Sequence, residues 1–378
     1  MESDHSIKPI IQSIEPENHD FRDQIKKEIS LNNIAFYEKV IARLKLTPFF
    51  ASVLLTLIFL SVHYLLASFY QVNIFTDFSF MVSFMIGLNL YLILIATKRL
   101  REYVVNLVSL TKLSVSEFKE TFLPILNKTT KNFNLLPYGI SLGIINCMFG
   151  FSFGYWYTEL VLTISIVFQH FFVGFLAGMA AGGIIGVIRL VNHLDQCGEL
   201  NLNYFHPDKC AGTLLVGKLV FAFATMTLLM GFFIANYVFL TPWSNLELYP
   251  NLNYLIYFWM IFPFLVSLAV FSFPIFELHK ILANYKNIRL LENSNKMINL
   301  VNKFEASTLS TQEIQNLGVL QEHVKLADNY LNGMNTWPYD FKYKATYLSV
   351  FLSLSLALIA EISTEFLVNL ISHPLLAP

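Results

Sequence analysis

Two acids, Glu361 and Glu365, stand one helical turn apart in the last apolar stretch of this 378-residue chain. A carboxylate held in hydrocarbon costs roughly 3 kcal/mol or more, so it faces a bundle interior or water. Ser349, Ser353 and Thr364 add polar positions to the same helix, amid Leu and Phe. Such a face can line a path for cations. The competing reading ends the span earlier and leaves both carboxylates at the interface. Asp77, Glu159 and Glu247 fall on the same predicted outer side, where no base is expected. An acidic vestibule of this kind concentrates cations.

A second set has the donor types of a metal site: His193-x-x-x-Cys197 and His206-x-x-x-Cys210. Two His and two Cys suit zinc, but the spacing is not that of a common finger. Pro207 follows His206 directly, so the stretch reads better as a rigid turn in which Asp208 caps the next helix. Trp337, Pro338 and Asp340 read as another elbow before the last span, with Pro338 breaking the preceding helix. His63 and His170 fall inside apolar runs and read as hydrogen-bonding residues between helices rather than proton relays. There is no phosphate loop, no metalloprotease His-Glu pair and no defensible Ser/His/Asp set. The expectation is a non-enzymatic protein without a cofactor. At a net charge of −1, bulk charge names no partner, and nucleic acid is not expected.

Gly174, Gly178, Gly182 and Gly186 recur every fourth residue, which puts them near one helix face. Without Cβ atoms, another helix backbone can approach closely there. The ladder is a packing surface, either within the chain or between subunits.

The elements that carry these residues follow from composition. Apolar residues make up 55% and charged residues 13%, about half the charge of a soluble domain. Seven runs are long enough to cross about 30 Å of hydrocarbon as helix: 48–70, 78–97, 135–156, 160–191, 213–240, 253–276 and 345–370. The expected fold is all-α, a seven-span transmembrane bundle with a cytoplasmic helical layer. All 25 Lys and Arg fall on one side of this arrangement, which places the N-terminus inside and the C-terminus outside. A polar stretch of 47 residues precedes the first apolar run, so the first span is expected to be retained. The expected organisation is a cytoplasmic amphipathic segment (1–47), spans one to six with inner connections at 98–134 and 192–212 (48–276), a cytoplasmic helical segment (277–344), and the last span with a short outer tail (345–378).

The inner segments are helical in pattern. Residues 20–46 alternate apolar Ile25, Ile29, Ile34 and Val40 with charges, as an amphipathic helix does. Ser114 and Glu117 have the spacing of a capping box. Residues 277–333 suggest two helices broken around 307–310.

Two blocks carry a resemblance. The stretch 205–217, with His206-Pro207-Asp208 and then Gly212 and Gly217, resembles a block in uncharacterised prokaryotic multi-span membrane proteins. Thr336-Trp337-Pro338-Tyr339-Asp340 is similar to their Trp-Pro-Phe-Asp block before the last span. Ala211 stands where that family has a glycine. The resemblance implies a fold and no chemistry. The span count, inside N-terminus, short outer loops and bulky inner helices are also similar to those of insect gustatory and odorant receptors, which are ligand-gated cation channels. Thr346-Tyr347 matches the start of their last-span motif, and the Gln-Phe that closes it is missing.

Together these features point to an oligomeric cation channel or channel-like receptor of the plasma membrane (the inner membrane in a bacterium), with the last span lining the path. Its expected partners are lipid, a second copy of itself and a small ligand or ion. An ion- or proton-coupled transporter and a membrane sensor or anchor acting through the inner helices are the alternatives.

Overall fold

Thr47 accepts a hydrogen bond from the Phe50 amide at 3.3 Å, and Pro48 occupies the first helical position, where a missing N–H costs nothing. That start opens the first of the long helices in the computed structural model of the chain. The structure describes residues 21–30, 35–76, 78–153, 157–196, 200–241, 252–306, 310–339, 345–356, 359–360 and 363. The helices are α1 (21–30), α2 (Phe36–Arg43), α3 (Pro48–Phe69), α4 (Phe80–Leu107), α5 (Val115–Thr130), α6 (Asn132–Phe153), α7 (Leu160–Gln196), α8 (Leu214–Leu240), α9 (Leu252–Ala306), α10 (Thr311–Gly333) and α11 (Ala345–Leu356). Among the described residues the β pairing is limited to an isolated bridge between Thr111 and Leu200.

Six stretches are long and apolar enough to cross a membrane: α3, α4 with the 3-10 turn that follows it, α5 with α6, α7, α8 and α9. The chain is thus a multi-pass integral membrane protein. Of the expected seventh span, α11 is described and is shorter than a crossing; Thr364, Glu365 and the residues after them lie outside the described residues. The face of α3 that carries Leu54, Leu57, Ile58, Leu65 and Phe69 is exposed, as a lipid-facing surface must be.

Local chemistry sets several boundaries. Ser114 Oγ accepts from the Glu117 amide at 3.4 Å, while Glu117 accepts from the Ser114 amide at 2.9 Å, so the capping box opens α5. Ser310 and Glu313 repeat the device at the start of α10. Helix α9 does not end near residue 276. It runs to Ala306 with Pro263 and Pro274 inside it. Beyond Pro274 nothing in its sequence forces a stop, because a helix leaving an apolar layer keeps the same dihedral angles. The expected amphipathic helix at 20–46 is two pieces, α1 and α2.

Two ends of the bundle are tied by different contacts. At one end, His63 of α3 lies 3.1 Å from Ser165 Oγ of α7 and 3.2 Å from Ser79 Oγ, just before α4. At the other, Arg101 of α4 donates to Glu38 of α2, with one bond at 2.8 Å, and the Ala35 amide donates to the same carboxylate at 2.9 Å. Ile25 and Ile29 of α1 are buried, and Phe21 packs edge-on against Phe118 of α5.

Candidate functional site

The glycine ladder settles where the helices come closest. A Cβ on Gly174 would sit 2.7 Å from the Leu142 carbonyl and 2.9 Å from the Gly143 Cα. Gly178 faces the Tyr138 carbonyl, Gly182 the Leu135 and Tyr138 side chains, and Gly186 the Thr129 side chain. Gly139 and Gly143 of α6 answer from the other side, against the Phe175 and Phe171 carbonyls. The ladder therefore makes a backbone-to-backbone seam between α7 and α6, ending on α5.

Beside this seam is a partly open cavity of about 430 Å³ between α4, α5, α6, α7, α8 and α9. That volume falls in the range of small-molecule sites. Its wall is mostly apolar: Met85 and Ile93 from α4, Phe149 from α6, Val173 from α7, Met230 from α8 and Trp259 from α9 are among the residues that line it. Among the described residues of the lining there is no Asp, Glu, Lys or Arg.

Most of its polar side chains are met within the protein. Asn146 Nδ2 donates across the seam to the His170 carbonyl at 2.7 Å. His170 Nδ1 lies 2.9 Å from the Ile166 carbonyl, which only accepts, so Nδ1 carries the proton. That leaves Nε2 to accept from the Tyr237 hydroxyl at 3.0 Å. The Thr227 and Thr129 hydroxyls each donate to a carbonyl four residues back, at 2.9 and 2.7 Å. Thr97 Oγ1 lies 2.9 Å from the Ile93 carbonyl. Asn89 is different. It is 3% exposed, it lines the cavity, and its Nδ2 finds no partner among the described protein atoms. An unmet buried donor costs about 1–3 kcal/mol, more than a typical hydrogen bond contributes. Sequence reasoning passed over Asn89. The signal was one amide inside an otherwise apolar run.

The two elbows meet each other. Cys210 Sγ lies 3.5 Å from the Trp337 carbonyl, and the Asn335 amide donates to the Lys209 carbonyl at 2.7 Å. Gly217 packs directly on the Pro338 carbonyl. Trp337 stacks on His279 of α9 with ring centroids 4.0 Å apart. Asp208 accepts from the amides of Cys210 (2.8 Å), Gly212 (3.1 Å) and Leu214 (3.3 Å), and Gly212 takes a positive φ of 92°. Burial pushes the Asp208 carboxyl up, but those amides and His206 outweigh it and hold it below the usual carboxylate value. The stretches 205–217 and 335–339 thus form one knot beside the starts of α8 and α11.

Other sequence candidates fall elsewhere. Ser349 and Ser353 are exposed on α11. Glu361, Thr364, Glu365, Asp340 and Cys197 lie outside the described residues. Among the described residues no group of three or more His, Cys, Asp or Glu could hold a metal ion, so His193, His206 and Cys210 form no such centre. Tyr347 of α11 is buried, and its hydroxyl lies 2.8 Å from Ser267 Oγ of α9, which in turn lies 2.8 Å from the Ala224 carbonyl of α8. No family model, curated protein or solved structure matches this chain.

Proposed function

We propose that this chain is a channel-like receptor with seven spans, its N-terminus inside and its C-terminus outside, acting as a homo-oligomer in the plasma membrane and binding a small molecule within the bundle. The observation that carries this reading is the cavity of about 430 Å³, with its buried, unmet amide donor. A bundle that served only as an anchor would gain stability by filling that space with apolar side chains. The confinement of Lys and Arg to one side of seven spans supports the orientation. Glu361 and Glu365 supply the cation preference along the last span.

Planar-bilayer recording of the purified full-length chain tests the conducting half. The parent passes cations, and Glu361→Gln combined with Glu365→Gln lowers the preference for cations over anions. No current in the parent, or an unchanged preference in the double variant, would remove the channel. Cavity occupancy is read separately. 1-Bromodecane should quench Trp259, measured as the difference between the parent and Trp259→Phe in delipidated micelles. An absent difference would remove the receptor.

A further inference from the structure

The chemistry of the cavity narrows the ligand, on the reading that the chain is a receptor. Most of the described polar side chains along its wall are met by the protein itself: Asn146 by the His170 carbonyl, His170 and Tyr237 by each other, Thr227 and Thr129 by their own helix. Asn89 Nδ2 is buried without a partner among the described atoms, and it can only donate. An acceptor is what it lacks, and a charged one would find no counter-charge among the described residues of the lining, which include no Lys, Arg, Asp or Glu. We infer that the cavity takes a neutral, predominantly apolar molecule carrying a single strong hydrogen-bond acceptor, a ketone, ester, ether or alcohol oxygen, which Asn89 Nδ2 reads.

Apolar contact gives affinity here, and the amide gives selection. A site that buries a donor rejects an analogue without the matching group far more strongly than it rejects one with a missing methylene, because the donor is then left unpaired. A membrane lipid chain with an ester or ether oxygen and a free small molecule from outside share this chemistry.

The test is displacement of 1-bromodecane from the full-length protein in delipidated micelles, with 2-decanone and decane as the competing pair. The expected result is that 2-decanone displaces the probe at a concentration about tenfold lower than decane, a difference of about 1.4 kcal/mol. In Asn89→Leu the two should displace alike. Equal displacement in the parent overturns the inference while leaving the receptor reading in place, because the probe still binds. That comparison needs no variant, so it decides the matter even where Asn89→Leu fails to fold. A preference for 2-decanone that survives intact in Asn89→Leu also overturns it. Mass spectrometry of protein purified without delipidation separates the sources. A lipid retained by the parent and lost from Asn89→Leu supports a membrane ligand, and discrimination with no retained lipid supports a free one.

Discussion

The sharpest check on the packing compares one substitution at two glycines of the same helix, Gly178→Ala and Gly183→Ala. In both, the exchange removes the entropic penalty of glycine in a helix, a gain of about 1 kcal/mol. At Gly183 nothing opposes that gain, since the new Cβ would have only the Thr129 carbonyl for company, at 3.9 Å. At Gly178 the Cβ would press on the Tyr138 carbonyl and sit 2.8 Å from the Gly139 Cα. Both obstacles are backbone, so no side chain can rotate away and α6 must move off α7. Overpacking of this kind costs about 1–3 kcal/mol. Between helices in lipid, close packing is most of what holds them together, so little compensates the loss. Gly183→Ala should therefore be up to about 1 kcal/mol more stable than the parent, with Gly178→Ala about 1–3 kcal/mol below Gly183→Ala. Reversible unfolding in mixed micelles, with both variants in the same detergent, measures the gap directly. A Gly178→Ala protein as stable as Gly183→Ala would mean that the seam between α6 and α7 is not a backbone contact.

Three further perturbations test other joints. Arg101→Ala leaves a mostly buried Glu38 carboxylate without its bidentate partner, at a cost of about 3 kcal/mol, and should speed hydrogen exchange through α2; Arg101→Lys, which keeps the charge and loses the fork, should fall between. Asp208 is held below the ordinary carboxylate value, so its stabilising contribution is complete above that value and is lost as pH falls through its own lower one. Melting scanned downward from neutral pH should show this loss in the parent, and Asp208→Asn should flatten it; an unchanged profile would free the knot from Asp208. Tyr347→Phe removes the hydroxyl that meets Ser267, at a cost of about 1 kcal/mol, and should raise proteolytic cleavage before α11. Cleavage at the parental rate would show that α11 is held by its ring contacts alone.

The membrane-crossing helices were legible because hydrocarbon demands a length and a composition that few other structures need. The capping box at Ser114 and the turn at Asp208 were legible because each is settled by a handful of neighbours. How far helix α9 runs past the expected span was not legible, for a physical reason. The composition changes near residue 276 from apolar to charged, which marks a change of solvent and not a change of backbone. The knot could not be foreseen, since Cys210 and Trp337 are 127 residues apart and no spacing rule joins them. Asn89 was missed for a similar reason. One amide in an apolar run carries no period, and whether it is paired depends on the other helices around the cavity. The glycine ladder gave the seam's position along α7 but not its partner, because a smooth face fits any close backbone equally well.

Where the local rules for a stable membrane bundle are broken without visible compensation, function is the usual reason. Here the breach is a void and an unmet donor side by side, set in helices otherwise packed to backbone contact. The geometry also limits what filling that void can do. Phe223 and Thr227 of α8 and Pro263 and Val266 of α9 line it. Next to them in the chain stand Ala224 and Ser267, which hold Tyr347 of α11 through hydrogen bonds of 2.8 Å. On the ring side, Phe271 of α9 stacks on Tyr347 with centroids 4.3 Å apart. Any occupant that spreads α8 from α9 must first strain the bond between Ser267 and the Ala224 carbonyl. The next bond in that chain belongs to α11, so a change in the spacing of α8 and α9 at Ser267 reaches α11 through Tyr347.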